Sequence, residues 1–332
     1  MVEFSDVLIT VIFLLALAVP GFIFAKLKMF SKTASETLST IVLYGCQPVL
    51  IVTSFQGCAY DTDIAINMLI TAGLALAAHL LMIAIVKLVF LKREKDDKVK
   101  LVKYLSVFSN CGFMGLPFLQ SLFSGGEVQS ELIIYCAVVL TIFTVLNWTF
   151  GAYMLTGDKK QISAKKILLN PVIIAIILSL ILFFTLQKPF VELVEEGTVW
   201  HTVMTKFMGS LNYISNMVTP LSMIVIGIRL ANIRFKHLIT DKWAYVATGM
   251  KLVVMSFVTM LLVAYLPIAS TIKYTLFFLL SMPSATSGAM MAVQYGKDSD
   301  FASVGVVMST IFSIATLPLL YLFMNGVLGV TL

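Results

Sequence analysis

Apolar runs alternate with short polar connections along the whole chain, and each run is long enough to cross a lipid bilayer. An α-helix needs about 20 apolar residues to span the hydrocarbon core. The pattern predicts ten such spans, at residues 7–26, 36–55, 64–90, 101–123, 132–155, 167–186, 211–230, 243–265, 271–294 and 301–323. Because backbone amides in lipid must bond within their own segment, we expect these spans to be α-helices.

Composition leads to the same class of protein. The 332 residues are 59% hydrophobic and only 12% charged, with a mean hydropathy of +0.99, whereas soluble domains carry about 25% charged residues. So few ionisable groups do not cover the surface of a water-soluble globule. This composition excludes a cytosolic enzyme, a nucleic-acid binder and a disordered protein, and it predicts an integral membrane protein.

The net charge of +6 reflects membrane topology rather than an acidic partner. If the N-terminus lies outside, the inner connections hold 19 of the 23 Lys and Arg residues and the outer connections hold three. Such an excess is typical of cytoplasmic loops. We therefore expect a multi-pass protein of the cell membrane with both termini outside.

Weak self-similarity predicts an internal repeat. Three matches recur at nearly one separation: 170 positions for Lys103-Tyr104 and Lys273-Tyr274, 170 for Gly126 and Gly296, and 172 for Pro48 and Pro220. Because each copy holds five spans, an odd number, the second copy must enter the membrane from the opposite side. The expected fold is an all-α polytopic membrane protein with ten transmembrane helices in two inverted five-helix repeats, an arrangement typical of secondary transporters.

Two of the ten spans are poor continuous helices. The fourth contains Gly112, Gly115 and Pro117, and the ninth contains Pro283, beside the hydroxyls of Ser284, Thr286 and Ser287. Glycine loosens a helix, and proline removes a backbone donor. Broken helices at membrane depth face protein or a water-filled cavity, and freed amides at a half-helix N-terminus suit a carboxylate. The alternative is an ordinary proline kink in a packed helix.

A few further polar residues lie within the spans. Gln47 precedes Pro48, and Thr219 precedes Pro220; such residues often tie helices together rather than bind substrate. His79 and Lys251 are ionisable groups within spans three and eight, which makes them candidates for proton or ion coupling. A neutral, hydrogen-bonded histidine and a lysine that reaches the membrane surface are the alternatives.

Enzyme chemistry has no support in the sequence. The spans contain no paired acids for an aspartyl protease, and neither an H-E-x-x-H motif nor a P-loop occurs. The four cysteines have no C-x-x-C spacing and no neighbouring histidine. We therefore predict no enzyme activity, no cofactor and no metal site.

The fourth and ninth spans carry a family resemblance. Asn110-Cys111-Gly112-Phe113-Met114-Gly115-Leu116-Pro117 resembles the N-x-x-x-M-G-x-P segment of the auxin efflux carrier family, which includes bacterial organic-acid transporters. Met282-Pro283-Ser284-Ala285, followed by Gln294-Tyr295-Gly296, is a second match. The long inner loop of plant members is missing, so the chain resembles a compact prokaryotic member.

The resemblance implies a mobile transport domain that slides against a dimeric scaffold. Residues 1–60 and 161–232 would form the scaffold, and residues 61–160 and 233–332 the transport domain. In that domain helices four and nine break and cross, and Asn110 donates to the substrate carboxylate. The candidate substrate-binding residues are Gln47, Pro48, Asn110, Cys111, Gly112, Gly115, Pro117, Pro220, Pro283, Ser284, Thr286 and Ser287.

The sequence therefore predicts a secondary transporter that moves a small organic anion by an elevator type of alternating access. The asparagine of the second crossover in plant members has no counterpart around Pro283, which favours malate or malonate over an auxin-like acid. The expected partners are this anion, a proton or sodium ion, the lipid bilayer and a second copy of the chain, without nucleic acid. A sodium-coupled symporter of the bile-acid type and a non-transporting membrane receptor remain alternatives.

Overall fold

The computed structural model describes residues 3–31, 33–123, 126–162, 164–232 and 240–327, without the side chains of 126, 127 and 327. Every regular element in these ranges is helical, which confirms the predicted all-α class. Three of the basic residues that support the predicted orientation, together with the C-terminus, lie outside the described residues: Lys32, Arg234, Lys236 and residues 328–332.

Helices longer than seven residues are numbered in chain order. They are α1 (Phe4–Lys26), α2 (Ala34–Phe55), α3 (Thr62–Val89), α4 (Asp97–Val107), α5 (Cys111–Leu122), α6 (Gly126–Leu146, continuing to Thr156), α7 (Pro171–Leu186), α8 (Val199–Ser215), α9 (Val218–Asn232), α10 (Lys242–Val263), α11 (Ser270–Ser281), α12 (Ser287–Gln294) and α13 (Ser299–Val327).

Short polar side chains set where many of these helices begin. The carboxylate of Asp96 accepts from the backbone amides of Lys98 and Val99 at the start of α4. Asn170 caps α7 and Asp241 caps α10 in the same way. Each cap satisfies an amide that has no acceptor within its own helix. The polar connections of the sequence therefore determine the helix ends as well as the loops.

Eight helical segments in the described ranges are long and apolar enough to cross a membrane, with α8 and α9 counted together as Val199–Asn232. They coincide with eight of the ten predicted spans. The other two predicted spans, residues 101–123 and 271–294, are each occupied by two shorter helices with non-helical backbone between them: α4 with α5, and α11 with α12. The discontinuity of these two spans is thus a feature of the structure.

Small residues let α1 and α9 approach closely. A Cβ atom on Gly227 would lie 2.0 Å from the Ala18 carbonyl oxygen, and one on Gly21 would lie 2.3 Å from the Ile224 carbonyl oxygen. Glycine at helix contacts is a common basis of packing in membranes, where apolar burial alone gives little preference between helix and lipid. These two helices therefore pack backbone to backbone.

The interrupted helices lie in the centre of the molecule. All residues of α4 from Leu101 to Val107 are buried, and so are those of α11 from Tyr274 to Ser281. Because protein surrounds them, their unpaired backbone groups find partners that lipid does not supply. The fold thereby places non-helical backbone at membrane depth in a protected position.

Candidate functional site at the crossing of two broken helices

The two helix breaks meet and pair with each other. After α4 ends, residues 108–110 run antiparallel to residues 283–285, and Ser109 and Ser284 form an isolated β-bridge. The Asn110 amide donates to the Pro283 carbonyl at 2.8 Å, and the Ala285 amide donates to the Phe108 carbonyl at 2.8 Å. We call residues 108–110 the first crossing segment and residues 282–286 the second crossing segment.

Side chains repeat this reciprocity. The Ser109 hydroxyl donates to the Leu280 carbonyl in the last turn of α11 at 3.0 Å. The Ser284 hydroxyl donates to the Leu105 carbonyl in the last turn of α4 at 2.8 Å. Carbonyls in the last turn of a helix have no intrahelical donor. Each crossing segment therefore caps the helix that leads into the other one.

Each interrupted span contains a proline, which leaves a backbone carbonyl without its usual amide donor. The two spans satisfy this carbonyl in different ways. Pro283 lies in the second crossing segment, and the Leu279 carbonyl accepts from the Cys111 thiol at 3.4 Å. Pro117 instead lies within α5, whose residues 111–115 form a π turn. In this register the Leu116 amide donates to the Cys111 carbonyl, so Pro117 is aligned with the Gly112 carbonyl and supplies no amide to it.

Gln47 of α2 takes up this free carbonyl. Its side-chain Nε2 donates to the Gly112 oxygen at 2.9 Å. A Cβ atom on Gly112 would lie 2.9 Å from the same Nε2, so a side chain at this position would displace the contact. The glycine and the proline of the first motif thus create a docking point for an amide of a different helix.

A fully buried lysine links the first crossing segment to the last turn of α11. Lys251 of α10 donates from Nζ to the Ser109 hydroxyl and, at 2.9 Å, to the Leu280 carbonyl. An ammonium at the C-terminal end of a helix such as α11 is favoured by the helix dipole. Within the described residues, the ion pairs are confined to Lys98–Asp241, Lys100–Asp97 and Lys297–Asp97 and do not include Lys251.

His79 of α3 lies close to the first crossing segment. Its ring is fully buried, with the ring centroid 6.3 Å from that of Phe108. Nδ1 donates to the Ala75 carbonyl at 2.7 Å, and Nε2 has no hydrogen-bond partner among the described residues. The histidine is therefore held by its own helix and keeps one ring nitrogen available.

A cavity of about 120 Å³ lies against the first crossing segment. Its polar lining consists of Gln47, Ser109, Asn110, Thr144, Asn147, Asn170, Thr286 and Ser287. Its larger apolar lining includes Leu43, Tyr44, Phe113, Leu140, Phe143, Trp148 and Met290. Among the described residues, no charged side chain lines it. The cavity combines neutral hydrogen-bonding groups with an aromatic wall.

Asn110 is part of the cavity lining, and its side chain has an unused donor. The residue is 2% exposed, and its Nδ2 has no hydrogen-bond partner in the described part of the chain. It directly precedes α5, where first-turn amides such as those of Gly112 and Phe113 have no acceptor within the helix. A buried donor without a partner is costly. A bound acceptor such as a carboxylate oxygen would satisfy it.

The structure divides the residues singled out in the sequence into two groups. Gln47, Asn110, Gly112, Thr286 and Ser287 line the cavity. The remaining ones do not line the cavity: Pro48, Cys111, Gly115, Pro117, Pro220, Pro283, Ser284, His79 and Lys251. Their assignment to substrate binding or ion coupling stays a prediction.

Two contacts in this region were not predicted. Arg229 lies on α9 and donates to the Thr286 carbonyl at 2.9 Å. Tyr104 bonds to Asn147 and Ser287, which both line the cavity. Asn147 can be singled out from the sequence because it is a polar residue within an apolar span. Tyr104 has no comparable sequence signal, because its partners are remote in sequence.

Four π turns surround the crossing. They cover Val42–Cys46, Cys111–Gly115, Asn147–Gly151 and Met250–Met255. Each carries or adjoins one polar residue of this region, namely Gln47, Asn110, Asn147 and Lys251. Because a π turn inserts one residue, it changes the direction of the side chains that follow, and such turns are frequent at functional sites.

A polytopic helical bundle with two paired helix breaks and a polar cavity beside them is the architecture of a membrane carrier. Residues 6–321 match the family described as membrane transport protein. The match covers almost the whole chain, so the protein belongs to this family, which includes the auxin efflux carriers. The resemblance drawn from the two motifs is confirmed.

Two archaeal proteins are similar over nearly their full length. An uncharacterized transporter of Methanothermobacter thermautotrophicus is 26% identical over 324 residues, which cover 93% of this chain and 96% of the relative. An uncharacterized transporter of Methanocaldococcus jannaschii is 24% identical over 322 residues, which cover 95% and 96%. The family and both relatives are transporters.

Proposed function

We propose that the protein is a secondary transporter for a small organic anion that binds, through its carboxylate, in the cavity beside the first crossing segment. The observation that carries this proposal is the unpartnered Nδ2 of Asn110 at the cavity wall. The first-turn amides of α5 add the positive end of a helix dipole. Both groups donate hydrogen bonds, so they favour an acceptor with negative charge.

The cavity lining bears on the class of acid. A second carboxylate, as in malate or malonate, would meet no charged side chain of the described lining. The rings of Tyr44, Phe113 and Trp148 instead suit an apolar body. The geometry thus favours a monocarboxylate with an apolar part, such as an auxin-like acid, over the dicarboxylates that the sequence favoured.

Two observations support ten spans in two inverted repeats. The Asn110 amide bonds to the Pro283 carbonyl and the Ala285 amide bonds to the Phe108 carbonyl, and the two bonds are equivalent if Phe108 corresponds to Pro283 and Asn110 to Ala285, each 175 positions apart. His79 and Lys251, which approach the crossing from α3 and α10, are 172 positions apart. In this proposal α1 to α6 form one repeat and α7 to α13 the other, each with one broken span.

The distribution of polar contacts supports the division into a scaffold (1–60, 161–232) and a transport domain (61–160, 233–332). Within the proposed transport domain, Lys98 pairs with Asp241 at 2.7 Å and Lys297 pairs with Asp97 at 2.9 Å. Within the proposed scaffold, α1 and α9 pack through glycine. Side-chain hydrogen bonds that cross the boundary include Gln47 to Gly112, Thr219 to Gln120, and Arg229 to Thr286.

None of these three boundary contacts is an ion pair. A neutral or singly charged hydrogen bond contributes about 1–3 kcal/mol and can be exchanged for another as one body slides past the other. This pattern supports elevator-type alternating access. We place both termini outside and the protein in the cell membrane as a homodimer that joins through the scaffold.

The position of Lys251 bears on ion coupling. A coupling sodium ion at a broken helix binds free carbonyl oxygens at the C-terminal end of a half-helix. In this chain the Lys251 ammonium already binds the Leu280 carbonyl there. We therefore propose transport without sodium, with His79 and Lys251 as the candidates for proton coupling. Replacing sodium by choline in the uptake buffer should leave the rate unchanged.

Uptake by reconstituted protein tests the proposed function. Proteoliposomes should accumulate radiolabelled indole-3-acetate, malonate or malate above protein-free liposomes, which also separates a carrier from a receptor. Asn110→Ala should lower uptake at least tenfold, with unchanged thermal unfolding in detergent. Asn67→Ala, on α3 and outside the cavity lining, is the matched control. Normal uptake by the Asn110 variant would contradict the site, and no uptake of any acid would contradict the substrate class.

A further inference from the structure

Another amide of the cavity lining, that of Asn147, is held by a buried tyrosine. Asn147 lies in the π turn of α6, where its side chain faces the same cavity as Asn110. The Tyr104 hydroxyl, on α4, lies 2.5 Å from Asn147 Oδ1 and 3.0 Å from the Ser287 hydroxyl oxygen. Tyr104 itself is fully buried and does not line the cavity.

The ring of Tyr104 is held between two glycines. A Cβ atom on Gly151 of α6 would lie 3.1 Å from Tyr104 Cε2, and one on Gly288 of α12 would lie 3.2 Å from Tyr104 Cε1. The Phe108 ring packs beside it, with the centroids 4.7 Å apart. Three helices therefore determine where the hydroxyl lies.

The number of hydrogens that each of these groups carries determines which group donates in each bond. The carbonyl oxygen of an amide only accepts, so the single proton of the Tyr104 hydroxyl goes to Asn147 Oδ1. Ser287 must then donate to the Tyr104 oxygen. This leaves both hydrogens of Asn147 Nδ2 for other acceptors, and Ser287 offers only lone pairs to the cavity.

We propose that Asn147 is a second carboxylate-binding side chain, which works together with Asn110, and that Tyr104 is a positioning residue that keeps the Nδ2 group of Asn147 directed into the cavity. This inference rests on the proposed function, since it assigns further residues to the same anion site. It predicts that Ser287 supports Tyr104 and makes no hydrogen bond to the carboxylate.

Uptake kinetics test the role of Asn147. The probe is whichever of indole-3-acetate, malonate and malate is transported fastest. Asn147→Asp keeps an acceptor for Tyr104 but replaces the donor with an oxygen, so KM should rise at least tenfold, and Asn147→Ala should raise it similarly. Ser287→Ala should raise KM less than threefold. Unchanged KM in both Asn147 variants would overturn the assignment.

Competition by the primary amide of the transported acid gives a readout that a purely structural role would not move. Wild-type protein should prefer the acid over its amide, because two side-chain amides donate to the carboxylate. Asn147→Asp should reduce or reverse this preference. A wild-type preference for the amide would mean that Asn147 presents its oxygen to the cavity, which contradicts the proposal.

A double substitution tests Tyr104. Tyr104→Phe keeps the ring and should raise KM three- to tenfold with little change in kcat. In the Asn147→Ala background it should have no further effect, because Tyr104 acts only through Asn147. Tyr135→Phe, a buried tyrosine whose hydroxyl donates to Glu131 at 2.7 Å, is the matched control with normal KM. An equal Tyr104→Phe effect in both backgrounds would overturn the positioning role.

Failure of this inference is distinguishable from failure of the proposed function. If Asn110→Ala abolishes uptake while the Asn147 variants retain a normal KM, the anion site stands and Asn147 is not part of it. If Asn110→Ala transports normally, the site itself is wrong.

Discussion

The two crossing segments differ in where their helix-breaking residues lie. In the second segment Pro283 is part of the non-helical backbone, between α11 and α12. In the first segment the break at residues 108–110 precedes Gly112, Gly115 and Pro117, which all lie within α5. The two segments nevertheless pair through one antiparallel β-bridge and exchange reciprocal backbone bonds.

This difference shows that local sequence alone does not produce both breaks. The first segment contains neither glycine nor proline, so its extended backbone is stabilised by pairing with the second segment. Proline favours an extended conformation for the residue before it, which suits Met282 and makes the second segment a template. The break in one half of the chain therefore depends on the break in the other half.

The largest expected effect comes from a difference between Lys251 and His79, which approach the crossing from α10 and α3. Lys251 binds both crossing regions, whereas His79, its counterpart on α3, makes no such bond. Lys251→Met keeps the volume but removes a buried positive charge at the crossing. We expect uptake of the transported acid to fall roughly tenfold or more, since charged hydrogen bonds contribute about 1.5–3 kcal/mol.

The variant of its counterpart, His79→Gln, should lower uptake less than Lys251→Met when both are measured at the same pH and at a saturating substrate concentration. A larger loss in His79→Gln would place the important ionisable group on the other side of the crossing.

Alanine substitution of Ser109 and Ser284 compares the capping bonds that the two crossing segments make. Ser109→Ala removes a bond to Leu280 and a partner of the buried ammonium, so we expect a loss of about 2–3 kcal/mol in the free energy of unfolding. Ser284→Ala removes only the bond to Leu105, and about 1 kcal/mol should be lost. Reversible unfolding in mixed micelles measures both values.

The control for these variants is Ser106→Ala. Its hydroxyl is buried next to the crossing but donates only within α4, to the Val102 carbonyl. It should change stability by less than either crossing serine. An equal loss in all three variants would show that the capping bonds across the break stabilise the fold no more than a hydroxyl bond within one helix does.

Alanine substitution of Pro283 and of Pro117 should lower the free energy of unfolding by different amounts. Pro283→Ala adds an amide to an extended segment buried at the crossing, so we expect a cost of about 1–2 kcal/mol. In Pro117→Ala the new amide can bond to the Gly112 carbonyl, and the cost should stay below about 1 kcal/mol. Unfolding measurements give both costs, and far-ultraviolet circular dichroism should detect no added helix. A continuous helix in Pro283→Ala would contradict mutual pairing.

The smallest effect is expected at the end of α4 away from the crossing. Lys100 and Lys297 donate to the Asp97 carboxylate at 2.8 and 2.9 Å and lower its pKa. Because the folded-state pKa is the lower one, this interaction stabilises the protein above the ordinary aspartate pKa and is lost as pH falls through the folded value.

For Asp97→Asn we expect a loss below about 1 kcal/mol at neutral pH, since the carboxylate is largely exposed. The difference from wild type in thermal unfolding should shrink as pH falls toward 3. A difference that persists or grows at low pH would contradict the role of the carboxylate charge.

Much of the fold follows from local patterns, and the site follows only in part. Apolar run length predicts the long helices, and the two motifs locate the interrupted spans, because both signals act within a few residues. The exact place of the first break, the Gln47 contact and the Tyr104 bonds depend on residues more than 40 positions apart. No local propensity encodes such pairings, and the π turns that direct these side chains have no sequence signal of their own.

An experimental structure with a bromine-labelled carboxylate bound tests the central claim most directly, because the bromine identifies the ligand in anomalous maps. We predict paired breaks at residues 109 and 284 and a carboxylate oxygen about 2.9 Å from Asn110 Nδ2, the usual hydrogen-bond length. Continuous helices through both positions, or a carboxylate bound away from Asn110, would contradict the account.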